Sequence, residues 1–344
     1  MKFKAAILTK LDHPLTVTDV ETTELQVGQV LVKVLVSGLC GSQLQEISGF
    51  KGNANFLPHL MGHEGCGIVE EIGIGVTTVK VGDKVVMHWR KSDGIEAPFP
   101  KYIYNGKEMS SGKVTTISEY SIVSENRLTT VPDDTPDELC ALLGCAMTTA
   151  LGTVTNEANV KYGESVLIIG CGGLGLHLIE ACKLANAFPI TGLDVNDKKE
   201  DISKNAGATA YYNIAKNNIN DIIKDGSIDV IIDTTGNENI LRDAFPKLSG
   251  TGRLILVGQP KPGSDIVIPN ANKLFSGTGQ TIKATQGGST NPTEDIPRYV
   301  KLNKAGILTI KNLITHRFNL DEVNDAFDML KSGTAGRIMI NINN

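Results

Sequence analysis

The rhythm of apolar positions along this chain changes near residue 160. Before about residue 145 they come in short runs broken by glycine, QVLVKVLVSG, GCGIVEEIG, GDKVVMHW and SEYSIV. That density of β-type runs and turn signals predicts a β-rich, barrel-like domain. From about 160, apolar runs alternate with helical patterns: ESVLIIG, GLGLHLIEACKLANA, FPITGLD, a polar helix, IDVIIDTTG and GRLILVG. Such alternation is the mark of βαβ units stacked into a parallel sheet, so the expected class is α/β. The end, VNDAFDMLKSG then GRIMINI, predicts one helix and one closing strand, and residues 90–113 are the most loop-like part of the first domain. No solenoid repeat or low-complexity tract interrupts the pattern.

Composition narrows the function more than the fold. With 344 residues, 41% of them hydrophobic, the chain can build more than one core, and two domains are expected. The net charge of -5, with lysines and arginines scattered, argues against nucleic acid or an anionic membrane as partner. No apolar run approaches the roughly 20 residues of a membrane span. The start, MKFKAAILTKLDHPL, turns polar too soon for a signal peptide, so a cytoplasmic location is expected. The six cysteines show no CxxC pairing and are read as buried, metal-binding or catalytic rather than as a disulfide framework.

The first chemical motif lies in ESVLIIGCGGLGLHLIEACKLA. Gly170, Gly172 and Gly175 have the spacing G-x-G-x-x-G, with Gly173 between them, set between an apolar strand and an amphipathic helix. The first glycine permits a tight turn, the second lets a pyrophosphate approach the backbone, and the third lets helix and strand pack closely. The helix N-terminus then offers unpaired N–H groups to the phosphates. Asp194 ends the next strand about twenty residues on, where a carboxylate accepts from ribose hydroxyls and repels a 2′-phosphate. The cofactor read from this order is NAD rather than NADP. The alternative is that the glycines are simple turn residues and Asp194 a helix cap.

A second constellation lies outside that core. Cys40 in GLCGSQL, His63 in MGHEGCG and Cys145 in LLGCAMTTALG supply two thiolates and an imidazole, which with one open position make a catalytic zinc site. Spacing alone leaves the metal open, because a histidine in an apolar stretch is more often a core residue.

The string GHEGCGIVEEIGIGV, with Gly62, His63, Glu64, Gly67, Gly73 and Val76 in register, resembles the signature of the zinc-dependent alcohol dehydrogenases of the medium-chain dehydrogenase/reductase family. The resemblance runs from end to end and implies a GroES-like catalytic domain, residues 1–146 and 287–344, with a Rossmann NAD-binding domain, 147–286, inserted in it. It implies that Cys40, His63 and Cys145 bind zinc, that Glu64 backs the histidine, and that Ser42 takes the alcohol proton and passes it towards the ribose. It also implies that Thr149 and Leu174 lie at the nicotinamide, Val257 and Gly258 at its carboxamide, Lys199 at the ribose, and Arg337 near the zinc and the cofactor phosphates. For Lys199 and Arg337 the alternative is a solvated surface charge. Trp89 falls where the family places an aromatic residue over the substrate pocket; the alternative is a core filler.

The chain also departs from the family. Between His88 and Tyr120 it has no cysteine, where many members carry a four-cysteine lobe, so one zinc per chain and no structural zinc are expected. Loss of that lobe puts in doubt the adduct substrate of the glutathione-linked branch. Gln43 stands where the family has an aspartate supporting the ligating histidine, so that histidine is expected to be a slightly poorer donor. Gln45 replaces the histidine that ends the proton relay. The reading is an NAD-dependent oxidation of a small alcohol to its carbonyl by a homodimer or homotetramer. A sorbitol-type polyol dehydrogenase is the nearest alternative, and a non-catalytic NAD-binding scaffold or a zinc-free quinone reductase the more distant ones.

Overall fold

The computed structural model describes residues 1–50, 54–275 and 279–342. The chain divides into two compact units: Met1–Thr148 with Asn291–Ile310 and Ile314–Asn344, and Thr149–Thr290 with Lys311–Leu313.

In the first unit the strand Gln29–Leu39 is the organising element. It pairs antiparallel with Glu64–Ile72, Tyr120–Ser124 and Arg337–Asn341, the last returning from the far end of the chain. Outward from Glu64–Ile72 come Lys84–His88 and Leu128–Thr130; outward from Arg337–Asn341 comes Ile314–Asn319, in parallel. Val30, Val32 and Val34 are fully buried on one face and pack with Leu8, Val69, Val85, Met87, Val123 and Ile338. That face is held from the far side by Val323, Ala326 and Phe327 of helix Val323–Lys331. A second sheet runs in the order His59–Leu60, Lys2–Leu8, Thr16–Thr22, Lys101–Tyr104, Lys107–Ser110. The last two strands form a hairpin inside the stretch read from sequence as most loop-like.

The second unit is a parallel sheet in the order Ala210–Asn213, Ile190–Asp194, Val166–Ile169, Ile228–Asp233, Leu248–Leu256, Thr281–Ala284. Counted along the chain this order is 3-2-1-4-5-6, the doubly wound arrangement, with the strand order reversing beside Val166–Ile169. All four residues of that central strand are buried, because helices cover both faces of such a sheet, and alternation is therefore absent from its sequence. Among the described residues no single helix is long and apolar enough to cross a membrane.

Candidate functional site

Three separate elements of the first unit deliver the candidate ligands. Cys40 follows strand Gln29–Leu39 and caps helix Gly41–Ile47. His63 immediately precedes strand Glu64–Ile72, and Cys145 lies in the turn between helices Asp137–Leu143 and Ala146–Gly152. Their ligand atoms all lie within 4.8 Å of one another, and among the described residues no other histidine, cysteine or acidic group forms such a cluster of three. Tetrahedral bonds of about 2.3 Å to sulfur and 2.0–2.1 Å to nitrogen place donors roughly 3.5–3.8 Å apart. The cluster thus needs only a small contraction to hold zinc, and its donor set suits that ion.

The electrostatics agree. A hydrogen bond with Cys145 pulls the Cys40 thiol well below its ordinary value against the opposing effect of burial, and His63 and Arg337 pull the same way. Cys145 is raised and keeps its proton. Burial works against a charged His63, but bonding to Cys40 and the negative charges of Cys40, Glu64 and Glu46 outweigh it and raise the ring's pKa. A cation with two positive charges would replace the proton that the two sulfurs now share.

The glycine before the histidine is required by geometry. Gly62 has φ +101°, and a Cβ there would sit 2.3 Å from Thr116 Oγ1. Behind the cluster Glu64 is fully buried; its Oε2 accepts from Ala146 N–H at 3.1 Å and its Oε1 pairs with Arg337. One carboxylate therefore joins the His63 strand, the residue after Cys145 and the strand Arg337–Asn341. Arg337 is 3% exposed, so the surface-charge alternative for it is excluded.

Gln43 corrects an expectation about support for His63. Its Oε1 accepts from Cys40 N–H at 2.8 Å, closing a capping box on the helix, and its buried Nε2 has no partner among the described residues. The amide thus fixes the cysteine segment. Ser42 is half-buried in the first turn of the same helix. Trp89 is half-buried, its N–H donates to Gly144 O at 3.4 Å, and its carbonyl accepts from Arg127 Nη1 at 2.5 Å. It packs on the edge of the core beside the Cys145 turn, a position compatible with both readings of it.

In the second unit the glycine loop follows strand Val166–Ile169. Gly170 takes φ +87°, and a Cβ on Gly175 would lie 1.9 Å from Gly170 O, so the helix Gly173–Leu184 can start only without a side chain there. Leu174 is half-buried in that helix's first turn, and Thr149 is buried in helix Ala146–Gly152. Asp194 is tied to the loop: Oδ2 accepts from Cys171 N–H at 2.8 Å, and Oδ1 from Val195 and Asn196 N–H at 2.7 and 3.2 Å. A carboxylate has about four acceptor positions, so some capacity remains. Lys199 is 1% exposed, which excludes a solvated surface role; burial lowers its pKa, opposed by Asp194. The N–H groups of Val257 and Gly258 both donate to Asp233 O at 2.9 Å.

Sequence reading missed three groups. Asp233, fully buried, accepts from Thr235 N–H and Oγ1–H and from Gly236 N–H, shaping the turn after its strand. An acid ending an apolar run before TTG was the available signal. Glu46 and His59 pair between the helix that follows Cys40 and the strand that precedes His63, and no local pattern marks them.

A β-rich unit holding a buried pair of cysteines and a histidine, with a doubly wound unit holding a glycine loop, defines a metal-dependent dehydrogenase. Two family profiles match: "Alcohol dehydrogenase GroES-like domain" over residues 26–133 and "Zinc-binding dehydrogenase" over residues 173–304. The S-(hydroxymethyl)glutathione dehydrogenases of Escherichia coli and Shigella sonnei are 31% identical, over 99% of this chain and 100% of theirs. Among solved structures, benzyl alcohol dehydrogenase from Acinetobacter calcoaceticus is similar at TM-score 0.89 and 26% identity, with 100% of both chains covered. The 2R,3R-butanediol dehydrogenase from Bacillus subtilis is similar at TM-score 0.78 and 25% identity, covering 99% of this chain and 100% of that one. The chain belongs to the zinc-binding alcohol dehydrogenase family and is an alcohol dehydrogenase.

Proposed function

We propose that this enzyme moves a hydride between a small free alcohol and NAD, with a single zinc held by Cys40, His63 and Cys145. The observation that carries the reading is the buried cluster of two thiols and one imidazole within 4.8 Å. When bound, zinc supplies Lewis acidity that lowers the pKa of the alcohol hydroxyl, and NAD supplies the hydride acceptor. The protein's own part is to hold and orient. Ser42, two residues past Cys40 on a helix pinned by Gln43, takes the hydroxyl proton at Oγ as it releases its own proton towards the cofactor ribose. Glu64 and Arg337 keep the His63 strand and the Cys145 turn in register, as a buried ion pair whose charges cancel. Asp194 has acceptor capacity left for ribose hydroxyls, and its charge disfavours a 2′-phosphate. Gly170, Gly172, Gly173 and Gly175 leave the backbone bare for the pyrophosphate, with Lys199, Thr149, Leu174, Val257 and Gly258 around the rest of the cofactor and Trp89 against the substrate.

Two features favour a free alcohol over a glutathione adduct. The alignment with the glutathione-linked relatives spans 374 positions against 344 residues here, so those relatives carry segments this chain lacks. No cysteine lies between His88 and Tyr120, which supports one zinc per chain. The exposed edge strand Thr281–Ala284 of the nucleotide unit supports assembly as at least a homodimer.

Elemental analysis of the purified enzyme is expected to give about one zinc per chain, and Cys145→Ser is expected to lose zinc and alcohol oxidation together. A Cys145→Ser protein that kept both would remove the ligand assignment.

A further inference from the structure

In the nucleotide unit, the last strand and the chain that returns from it are fastened to one shielded carboxylate. Helix Ala146–Gly152 runs on into a π-helical stretch, Thr153–Glu157, and the Glu157 side chain at its end is 3% exposed. Its Oε1 accepts from Thr285 Oγ1–H at 3.0 Å and from Ser289 Oγ–H, while its Oε2 pairs with the exposed Lys283 of strand Thr281–Ala284. Beside it, Asn156 Nδ2 donates to Gly288 O at 3.1 Å. The backbones come equally close: Gly288 has φ +64°, and a Cβ there would lie 2.4 Å from Thr153 N and 2.6 Å from Thr149 O. At its other end the segment is tied by Thr285 N–H, which donates at 2.9 Å to the carbonyl of Leu256, the residue before Val257. Thr285–Ser289 is therefore held between Thr149 and Val257.

The strand order decides which half of a dinucleotide this segment faces. In a 3-2-1-4-5-6 sheet the two nucleotide halves lie on either side of the point where the order reverses, at the carboxyl ends of the strands. Asp194 and the glycine loop belong to the 3-2-1 side and take the adenosine ribose and the pyrophosphate. The 4-5-6 side, closed by Thr285–Ser289, is left for the nicotinamide. We propose that Glu157 is a positioning residue for the nicotinamide half of the cofactor. It accepts the two hydroxyls that set Thr285–Ser289 against Thr149 and Leu256, and it acts through that segment. The inference rests on reading NAD as the cofactor.

The test is calorimetric binding of NAD and of ADP-ribose, the same molecule without its nicotinamide. Both are measured on the full-length enzyme and its Glu157→Ala, Glu157→Gln and Thr285→Val variants, with circular dichroism as the check on fold. Glu157→Ala strands both hydroxyls and is expected to weaken NAD binding about tenfold, with ADP-ribose held within about twofold. Glu157→Gln keeps an oxygen for both hydroxyls and gives up only an ion pair with an exposed lysine, so NAD affinity is expected within about twofold of the wild type. Thr285→Val removes one donor from the opposite side and is expected to weaken NAD binding about threefold. It carries the test should Glu157→Ala not fold. Unchanged NAD affinity in the folded Glu157→Ala or Thr285→Val variant would overturn the proposal. So would an equal loss for ADP-ribose, the mark of a general loosening of the unit, or a glutamine variant as weak as the alanine one. A wild-type enzyme that binds neither NAD nor ADP-ribose would overturn the cofactor reading and the proposal with it.

Discussion

Replacing Arg337 by methionine isolates the buried pair that ties the metal-bearing segments together. Arg337 and Glu64 are 3% and 0% exposed, so neither charge has water to fall back on. Burial already pushes the Glu64 carboxyl up against the stabilising charge of Arg337; without the arginine its desolvation goes unopposed apart from the Ala146 N–H. Removing one partner of such a pair costs about 3–5 kcal/mol, because a buried charge is left uncompensated. At a urea slope of roughly 2–3 kcal/mol/M this moves the midpoint down by about 1–2.5 M. The assay is direct because Trp89 is the only tryptophan and lies in the same unit, so its fluorescence follows that unit's unfolding without assuming that the whole chain unfolds in one step. Glu64→Gln combined with Arg337→Met removes both charges and should recover at least about 1–2 kcal/mol relative to Arg337→Met alone. A midpoint within 0.3 M of the wild type for Arg337→Met, or a double variant no more stable than the single, would refute the reasoning that the pair is electrostatically coupled and desolvated.

Two further outcomes are expected. His88 is buried, with Nδ1 donating to Arg90 O at 2.7 Å and Nε2 2.9 Å from Thr129 Oγ1, and burial lowers its pKa from 6.5 to about 4. Above pH 6.5 the ring is neutral in both states and its full contribution is present; as pH falls from 6.5 to 4 only the unfolded chain takes the proton, so about 3 kcal/mol is lost. His88→Gln should flatten the fall in the Trp89-monitored urea midpoint over that window, and an unchanged pH slope would exclude His88 as its source. Asp194→Asn should narrow the preference for NAD over NADP by on the order of tenfold, about 1.4 kcal/mol, in the ratio of the two dissociation constants. An unaltered ratio would mean that Asp194 serves only the backbone groups it already holds.

The doubly wound unit was legible in the sequence because its signals are local. A strand buried on both faces must be apolar throughout, a helix starting against that strand must place glycine at 175, and the acid ending the next strand falls at a fixed distance; none of these needs knowledge of distant chain. The string around His63 was legible for a similar reason, since Gly62 must take a left-handed backbone beside Thr116. Residues whose role depends on a partner remote in the chain were not legible. Arg337 reads equally as a surface charge until the strand Arg337–Asn341 pairs with Gln29–Leu39 and brings it to Glu64, 273 residues away in sequence. Lys199 likewise reads as solvated until its short turn is buried beside Asp194. Glu46 and His59 carry no motif, and only closure of helix Gly41–Ile47 against the strand His59–Leu60 makes them a pair. The chain by itself determined the periodicities, the bare glycine positions and the donor chemistry of the site. The tertiary structure alone decided which charges lose their water and face one another, because desolvation and charge pairing depend on distance in space and not along the chain.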